Sequence, residues 1–139
     1  MKAVVTRFGV IIGTLVTAIA SAGDPGEHRD YCVTNLASLG GTRSLGNSVN
    51  DRGWLAGYSN LAGNTRRHAA LWVGDGLQDL GTLGGPNSNV TFPVKNTIGL
   101  ITGISQTATP EPLGENWSCS AFFPGATGTG FTCLGFAWD

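Results

Sequence analysis

The residues able to do chemistry are few and scattered. There are two histidines, His28 and His68, and three cysteines, Cys32, Cys119 and Cys133. Two His beside a disulfide-prone Cys pair do not make a zinc site, which takes four convergent ligands. No Gly-x-Ser-x-Gly nucleophile elbow occurs. Gly128-Thr129-Gly130 resembles a piece of a phosphate loop, but no strand–helix–strand unit surrounds it, so it reads as a turn. Asp51 and Asp79 are the candidates for a carboxylate pair. Both sit where Asp commonly bonds local backbone. No catalytic residue, metal ligand or cofactor is therefore expected. The chemistry left is oxidation: Cys119 and Cys133 flank a Pro- and Gly-rich stretch and are expected to bond to each other. Closing that loop would contribute about 3 kcal/mol in the chain-entropy model. The alternative is two reduced thiols buried in strands. Cys32 is left over, as a buried thiol or as one awaiting a partner.

A disulfide needs an oxidising compartment, and the N-terminus supplies a route to one. Lys2 and Arg7 precede an uncharged run from Phe8 to Ala20, then Ala20-Ser21-Ala22. This is the pattern of a secretory signal peptide, residues 1–22, removed after Ala22. The run is about 13 to 16 residues, short of the roughly 20 that span a bilayer. No membrane association is expected once it is cut. Residues 23–30 then form a flexible segment. Localisation is expected to be secreted or cell-surface, with the periplasm as an alternative. Without Lys2 and Arg7, six basic residues face nine acidic ones. Nucleic acid is excluded as a partner, because phosphate contacts need clustered Lys and Arg. Arg66-Arg67, the one basic pair, reads as a solvated turn.

The elements that must carry these residues are short strands. Apolar runs are broken by Gly, Asn and Asp every eight to twelve residues, an all-β signature. They also repeat. Leu39-Gly40-Gly41 recurs as Leu83-Gly84-Gly85, and Ser44 as Ser88, at an offset of 44. Gly53 and Gly57 recur as Gly99 and Gly103, offset by 46, and Trp72 as Trp138, offset by 66. These are the repeat-defining structural residues. The first repeat spans 31–79 and the second 80–139, with an inserted segment at about 107–133. Asn50-Asp51-Arg52-Gly53 is a turn, WLAGYS a strand, and HAALWV enters a hairpin around Gly74-Asp75-Gly76. Each copy supplies about four strands, which is the size of a propeller blade.

The pattern Leu-Gly-x-Leu-Gly-Gly, then Asn-x-x-Gly-x-x-x-Gly-x-Ser, then His-Ala-x-Leu-Trp resembles the HAF-type extracellular repeat proteins of bacteria. The His-Ala-Phe triplet of that family stands here as His68-Ala69-Ala70. The second copy keeps Phe136 and Trp138 but has Leu134 in place of His. The resemblance implies propeller-like blades, a secreted or surface location, and no defined catalysis or cofactor. About two blades are present against the four a closed ring needs. The expectation is an incomplete propeller that associates with copies of itself or with missing blades.

The inserted segment carries Trp117, Phe122 and Phe123 and is expected to protrude from one end of the sheet. These aromatics are the candidate contacts to a glycan or a surface protein; the plainer role is to cover the open end of the blade. The expected function is a non-enzymatic extracellular binding or structural module. The alternative is a fragment of a propeller-type glycan hydrolase. Asn50-Asp51-Arg52-Gly53-Trp54 resembles the Asp-box turn of sialidase-like propellers, but its Trp follows the Gly directly. Asn89-Val90-Thr91 and Asn116-Trp117-Ser118 are glycosylation acceptors in form only.

Overall fold

The computed structural model describes residues 32–92, 98–113, 117–125 and 127–139. The expected signal peptide and the segment 23–30 lie outside the described residues, as does His28. The chain is all-β. Among the described residues, seven strands form two antiparallel sheets, and residues Trp117–Ser120 add one helical turn, α1. The first sheet holds β1 (Gly40–Val49), β2 (Leu55–Leu61), β3 (Arg67–Val73) and β4 (Gly76–Asp79), in that order. The second holds β5 (Gly84–Asn89), β6 (Ile101–Pro110) and β7 (Phe131–Trp138), also in order. Each sheet is a meander, so every pairing is between chain neighbours.

The turns are where the residue types require them. Gly53 closes the β1–β2 turn with φ +75°, its N–H on the Asn50 carbonyl. Asn50 Oδ1 also accepts from the N–H groups of Arg52 and Trp54 at 3.0 Å, as an Asx turn does. Val73 pairs with Gly76 across the two-residue loop Gly74-Asp75, and Gly74 supplies its positive φ.

The repeated glycines have two distinct duties. Gly40 and Gly84 hold φ of +98° and +101°, which side-chain-bearing residues resist. Gly57 and Gly103 permit close approach: a Cβ at either would overlap a backbone oxygen, of Leu45 and Asn89 respectively. Both sheets break register at the same repeat position, between Gly40 and Ser44 and between Gly84 and Ser88. Strand for strand, β1, β2 and β3 correspond to β5, β6 and β7.

The inserted segment is shorter and better packed than its composition suggests. β6 runs to Pro110 and β7 begins at Phe131, so 107–110 and 131–133 are strand. Parts of the remainder turn inward. Phe123 is 5 % exposed, and the Thr127 carbonyl accepts bonds from Asn87 and Gln106, both fully buried. Buried amides need partners, and this loop provides them.

The apolar core is small and lies between the sheets. It comprises Ala56, Ala69 and Leu71 of the first sheet with Val90 and Ile101 of the second half, flanked by Trp54, Leu80, Phe136 and Trp138. Complete burial of a side chain such as Val90 stabilises by roughly 1.5–3 kcal/mol. Five such residues, two of them alanine, are a thin core. Hydroxyls and amides fill much of the remaining interior: Ser59, Asn60, Asn87, Ser88, Asn89, Ser105 and Gln106 are all buried.

Candidate binding site

The sheet junction positions the site. The first half of β3 extends past β4, which pairs only with Ala70–Val73. Its free N–H groups are taken by side chains of β5. Arg67 N–H donates to Asn87 Oδ1 at 2.8 Å, and Ala69 N–H to Ser88 Oγ at 2.8 Å. Ser88 Oγ donates in turn to the Gly81 carbonyl. Val90 N–H reaches the Gly57 carbonyl, whose residue lies on the first sheet. Side chains thus stand in for a missing ladder, which leaves few backbone groups at the seam without a partner.

Arg67 sits at this seam, which corrects the expectation of a solvated Arg66-Arg67 turn. Arg66 is exposed, but Arg67 belongs to β3 and is half-buried. Its Nε donates to Asn60 Oδ1 at 3.0 Å and its Nη1 to the Phe122 carbonyl at 2.6 Å. Its guanidinium lies 3.7 Å from the Tyr58 ring centroid, a cation–π contact. Burial lowers the Arg67 pKa from the usual arginine value; Tyr58 opposes that shift and the charge of Arg43 adds to it. Asn89 Nδ2 donates to the same Phe122 carbonyl at 3.1 Å. Asn89 is 2 % exposed, so this sequon asparagine is closed to modification in the folded chain.

Arg67 and Asn89 hold the Phe122 backbone at this seam through its carbonyl. The Phe122 ring meets Phe92 edge-on, with centroids 6.1 Å apart and planes at 73°. Phe92 is 67 % exposed and borders a groove of about 160 Å³ lined with Thr91, Thr102, Gly103 and Ile104. Small-molecule sites are typically about 300–1,000 Å³. The groove therefore suits a surface contact with part of a larger ligand better than an enclosed substrate. Of the three aromatics expected to make such a contact, Phe122 lies at this surface, Phe123 faces inward, and the Trp117 side chain lies outside the described residues. Phe92 was not legible as a candidate. It is far from the inserted segment in sequence and meets it only in the fold.

The remaining candidates are dispersed. Asp79 accepts from His68 Nδ1 at 2.8 and 2.9 Å and from Gly81 N–H at 2.8 Å. A His–Asp pair does nucleophilic chemistry when a hydroxyl or thiol meets the other ring nitrogen. Ser88, on the neighbouring strand, already uses its hydroxyl on Ala69 and Gly81. Asp51 lies in the β1–β2 turn. Among the described residues, no three His, Cys, Asp or Glu side chains converge as metal ligands would.

Cys119 of α1 and Cys133 of β7 are bonded, with Cα atoms 6.2 Å apart. The bond suggests an oxidising, extracellular-type compartment. Cys32 is free and exposed, which removes the buried-thiol reading of it. No helix among the described residues is long and apolar enough to cross a membrane.

No family model, no curated protein and no solved structure matches the chain.

Proposed function

We propose that the protein is a secreted, non-enzymatic repeat module whose two sheets act as propeller-like blades and whose Phe92–Phe122 surface contacts an extracellular glycan. The observation that carries the reading is the exposed Phe92 ring held edge-on to Phe122 beside an open groove. A sugar ring presents an apolar C–H face that stacks on an aromatic ring. Thr102, exposed at the groove, places a hydroxyl beside it. The blade reading is supported by the repeated glycine geometry and register break, and resembles the architecture of HAF-type repeats.

The alternative is a fragment of a glycan hydrolase. Such chemistry uses two carboxylates about 5–9.5 Å apart across the bond that breaks. Asp79, engaged by His68 and Gly81, is poorly suited to that task.

The test is affinity electrophoresis of the oxidised chain through gels holding bacterial cell-wall polysaccharides, with Phe92→Ser alongside. Retardation of the parent chain, lost in Phe92→Ser with unchanged circular dichroism, is the expected result. Release of reducing sugar from the same polysaccharides would favour the hydrolase. Removing the whole inserted segment is a poor test, because Phe123 and Thr127 help to complete the interior.

A further inference from the structure

Two cations share one face of the first sheet. Tyr58 pairs with Leu45 of β1 and with Ala69 of β3, and Asn60 pairs with Arg67 of β3. Side chains alternate along a strand, so Tyr58, Asn60 and Arg67 lie on the same face. Arg43, two residues before Leu45, joins them there. Its charge helps to lower the Arg67 pKa, which fits two guanidinium groups within electrostatic reach of each other. Among the described residues no carboxylate offsets either charge; the His68–Asp79 pair involves neither. The groups that hold Arg67, Asn60 Oδ1 and the Phe122 carbonyl, are neutral, and its Nη2 makes no hydrogen bond among the described residues. A half-buried cation beside a second cation is costly without a counter-charge. The chain as a whole is slightly acidic, with a formal net charge of −1, so this pair is a local feature and not part of a basic surface.

The second sheet shows what the equivalent face takes. Arg43 corresponds to Asn87 at the offset of 44, and Asn60 to Gln106 at the offset of 46. Asn87 Nδ2 and Gln106 Nε2 both donate to the Thr127 carbonyl oxygen, at 2.8 and 3.2 Å. The inserted segment supplies that oxygen, and the first copy has no such segment. Where the second sheet has an amide at Asn87 and a disulfide at Cys133, the first has the guanidinium groups of Arg43 and Arg67. The same face therefore carries stronger, charged donors and lacks the chain's own acceptor.

We propose that Arg43 and Arg67 bind the oxyanion of an acidic glycan, a carboxylate or a sulfate ester, on this face of the first sheet. The inference rests on the glycan reading above and names the class of glycan. Guanidinium groups meet a carboxylate or sulfate with paired N–H donors. The Tyr58 ring, 3.7 Å from the Arg67 guanidinium, and the Asn60 bond hold Arg67 in place before a ligand arrives, which lowers the ordering cost of binding. Arg43 is exposed and free to close on the anion from the other side. Phe122 joins the two parts of the site: its carbonyl accepts from Arg67, and its ring meets Phe92. One sugar residue on the aromatic surface would thus place a neighbouring acidic group toward the cations.

The test is affinity electrophoresis of the full oxidised chain through gels holding polygalacturonate, dextran sulfate or neutral dextran, with Arg43→Gln, Arg52→Gln and Phe92→Ser alongside. Arg43 makes no hydrogen bond among the described residues, so Arg43→Gln is expected to keep the parent's circular dichroism. Arg52→Gln removes the same charge in the β1–β2 turn. An acidic polymer is expected to retard the parent and Arg52→Gln alike, and to bind Arg43→Gln about tenfold more weakly, the scale of one charged hydrogen bond. Tighter binding of polygalacturonate identifies the anion as a carboxylate and tighter binding of dextran sulfate as a sulfate ester; either supports the inference. In parallel, galacturonate and inorganic sulfate are titrated into the chain, with NMR detection of the arginine Nε–H groups. The Arg43 and Arg67 signals are expected to shift and the Arg52 signal to stay. Equal weakening by Arg43→Gln and Arg52→Gln overturns the inference, because it reports net charge alone. So does retention that Arg43→Gln leaves unchanged, or Arg43 and Arg67 signals that neither anion moves. Retention lost in Phe92→Ser but unchanged in Arg43→Gln would leave the glycan reading standing without the anion site. The reverse would support the anion site and remove the aromatic contact.

Discussion

At one strand position the first sheet carries Arg67 and the second carries Cys133. Arg67 pairs with Asn60 across β2, and Cys133 pairs with Gln106 across β6. Both residues hold the inserted segment: Arg67 through the Phe122 carbonyl, Cys133 through its bond to Cys119. The surrounding backbone geometry is nearly the same in the two sheets. Leu39 N–H donates to Ser59 Oγ at 2.9 Å, and Leu83 N–H to Ser105 Oγ at 2.8 Å. Gly40 N–H donates to Ser38 Oγ at 3.3 Å, and Gly84 N–H to Thr82 Oγ1 at 3.2 Å. The comparison separates two kinds of position. Residues that satisfy the backbone recur, because each sheet meets the same hydrogen-bonding and steric demand. Residues that reach outward differ, because each sheet has a different neighbour.

The comparison is broken hardest at the close approaches. Gly57→Ala places a methyl group on the Leu45 carbonyl oxygen and should lower stability by more than about 3 kcal/mol, beyond the usual range for overpacking. Gly103→Ala should cost about 1–3 kcal/mol, because part of its conflict is with the Phe136 ring, which can turn. Urea unfolding of both variants checks the order. Equal, small losses would mean that the strands do not approach as closely as described.

The two tethers come next. Cys119→Ser should cost about 3 kcal/mol, as loop closure predicts. Arg67→Gln should cost about 1.5–3 kcal/mol, the scale of a charged hydrogen bond. Because both hold one segment, the double variant should lose less or more than the sum, by at least about 0.5 kcal/mol. Strict additivity in thermal unfolding would show that the tethers act on separate parts of the loop.

The smallest effect belongs to the surface pair. His68→Leu reproduces what the second copy has at Leu134. A partly exposed side-chain hydrogen bond contributes about 0.5–1.5 kcal/mol, so its melting temperature should move by only a few degrees. A larger loss would make the His68–Asp79 pair a structural requirement of the first sheet and weaken its equivalence with the second.

Much of this was legible in the residues, and the reason differs from place to place. The 44-residue offset located the Leu-Gly-Gly corners, because a positive φ and a close approach each demand glycine locally. Gly53 and Gly74 marked their turns for the same reason. The Cys119–Cys133 bond followed from two cysteines bracketing one loop. Arg67 was misread because a basic pair beside a turn carries no mark of which member enters the strand. Its alignment with Cys133, a position facing the inserted segment, was the available signal. Which parts of the inserted segment turn inward was hidden too. Its Pro and Gly content describes a loop without saying which surface the loop covers.

The sequence by itself determined that the chain is built from short strands, that it repeats, and where its turns and disulfide fall. These are local properties, set by backbone sterics and by the spacing of identical residue types. Only the tertiary structure decided that Asn87 and Ser88 of one copy would bond the strand of the other and that Phe92 would meet Phe122. Those outcomes depend on which groups are brought together after the sheets pack. A buried amide or a free N–H selects its partner from whatever the fold places within about 3 Å of it.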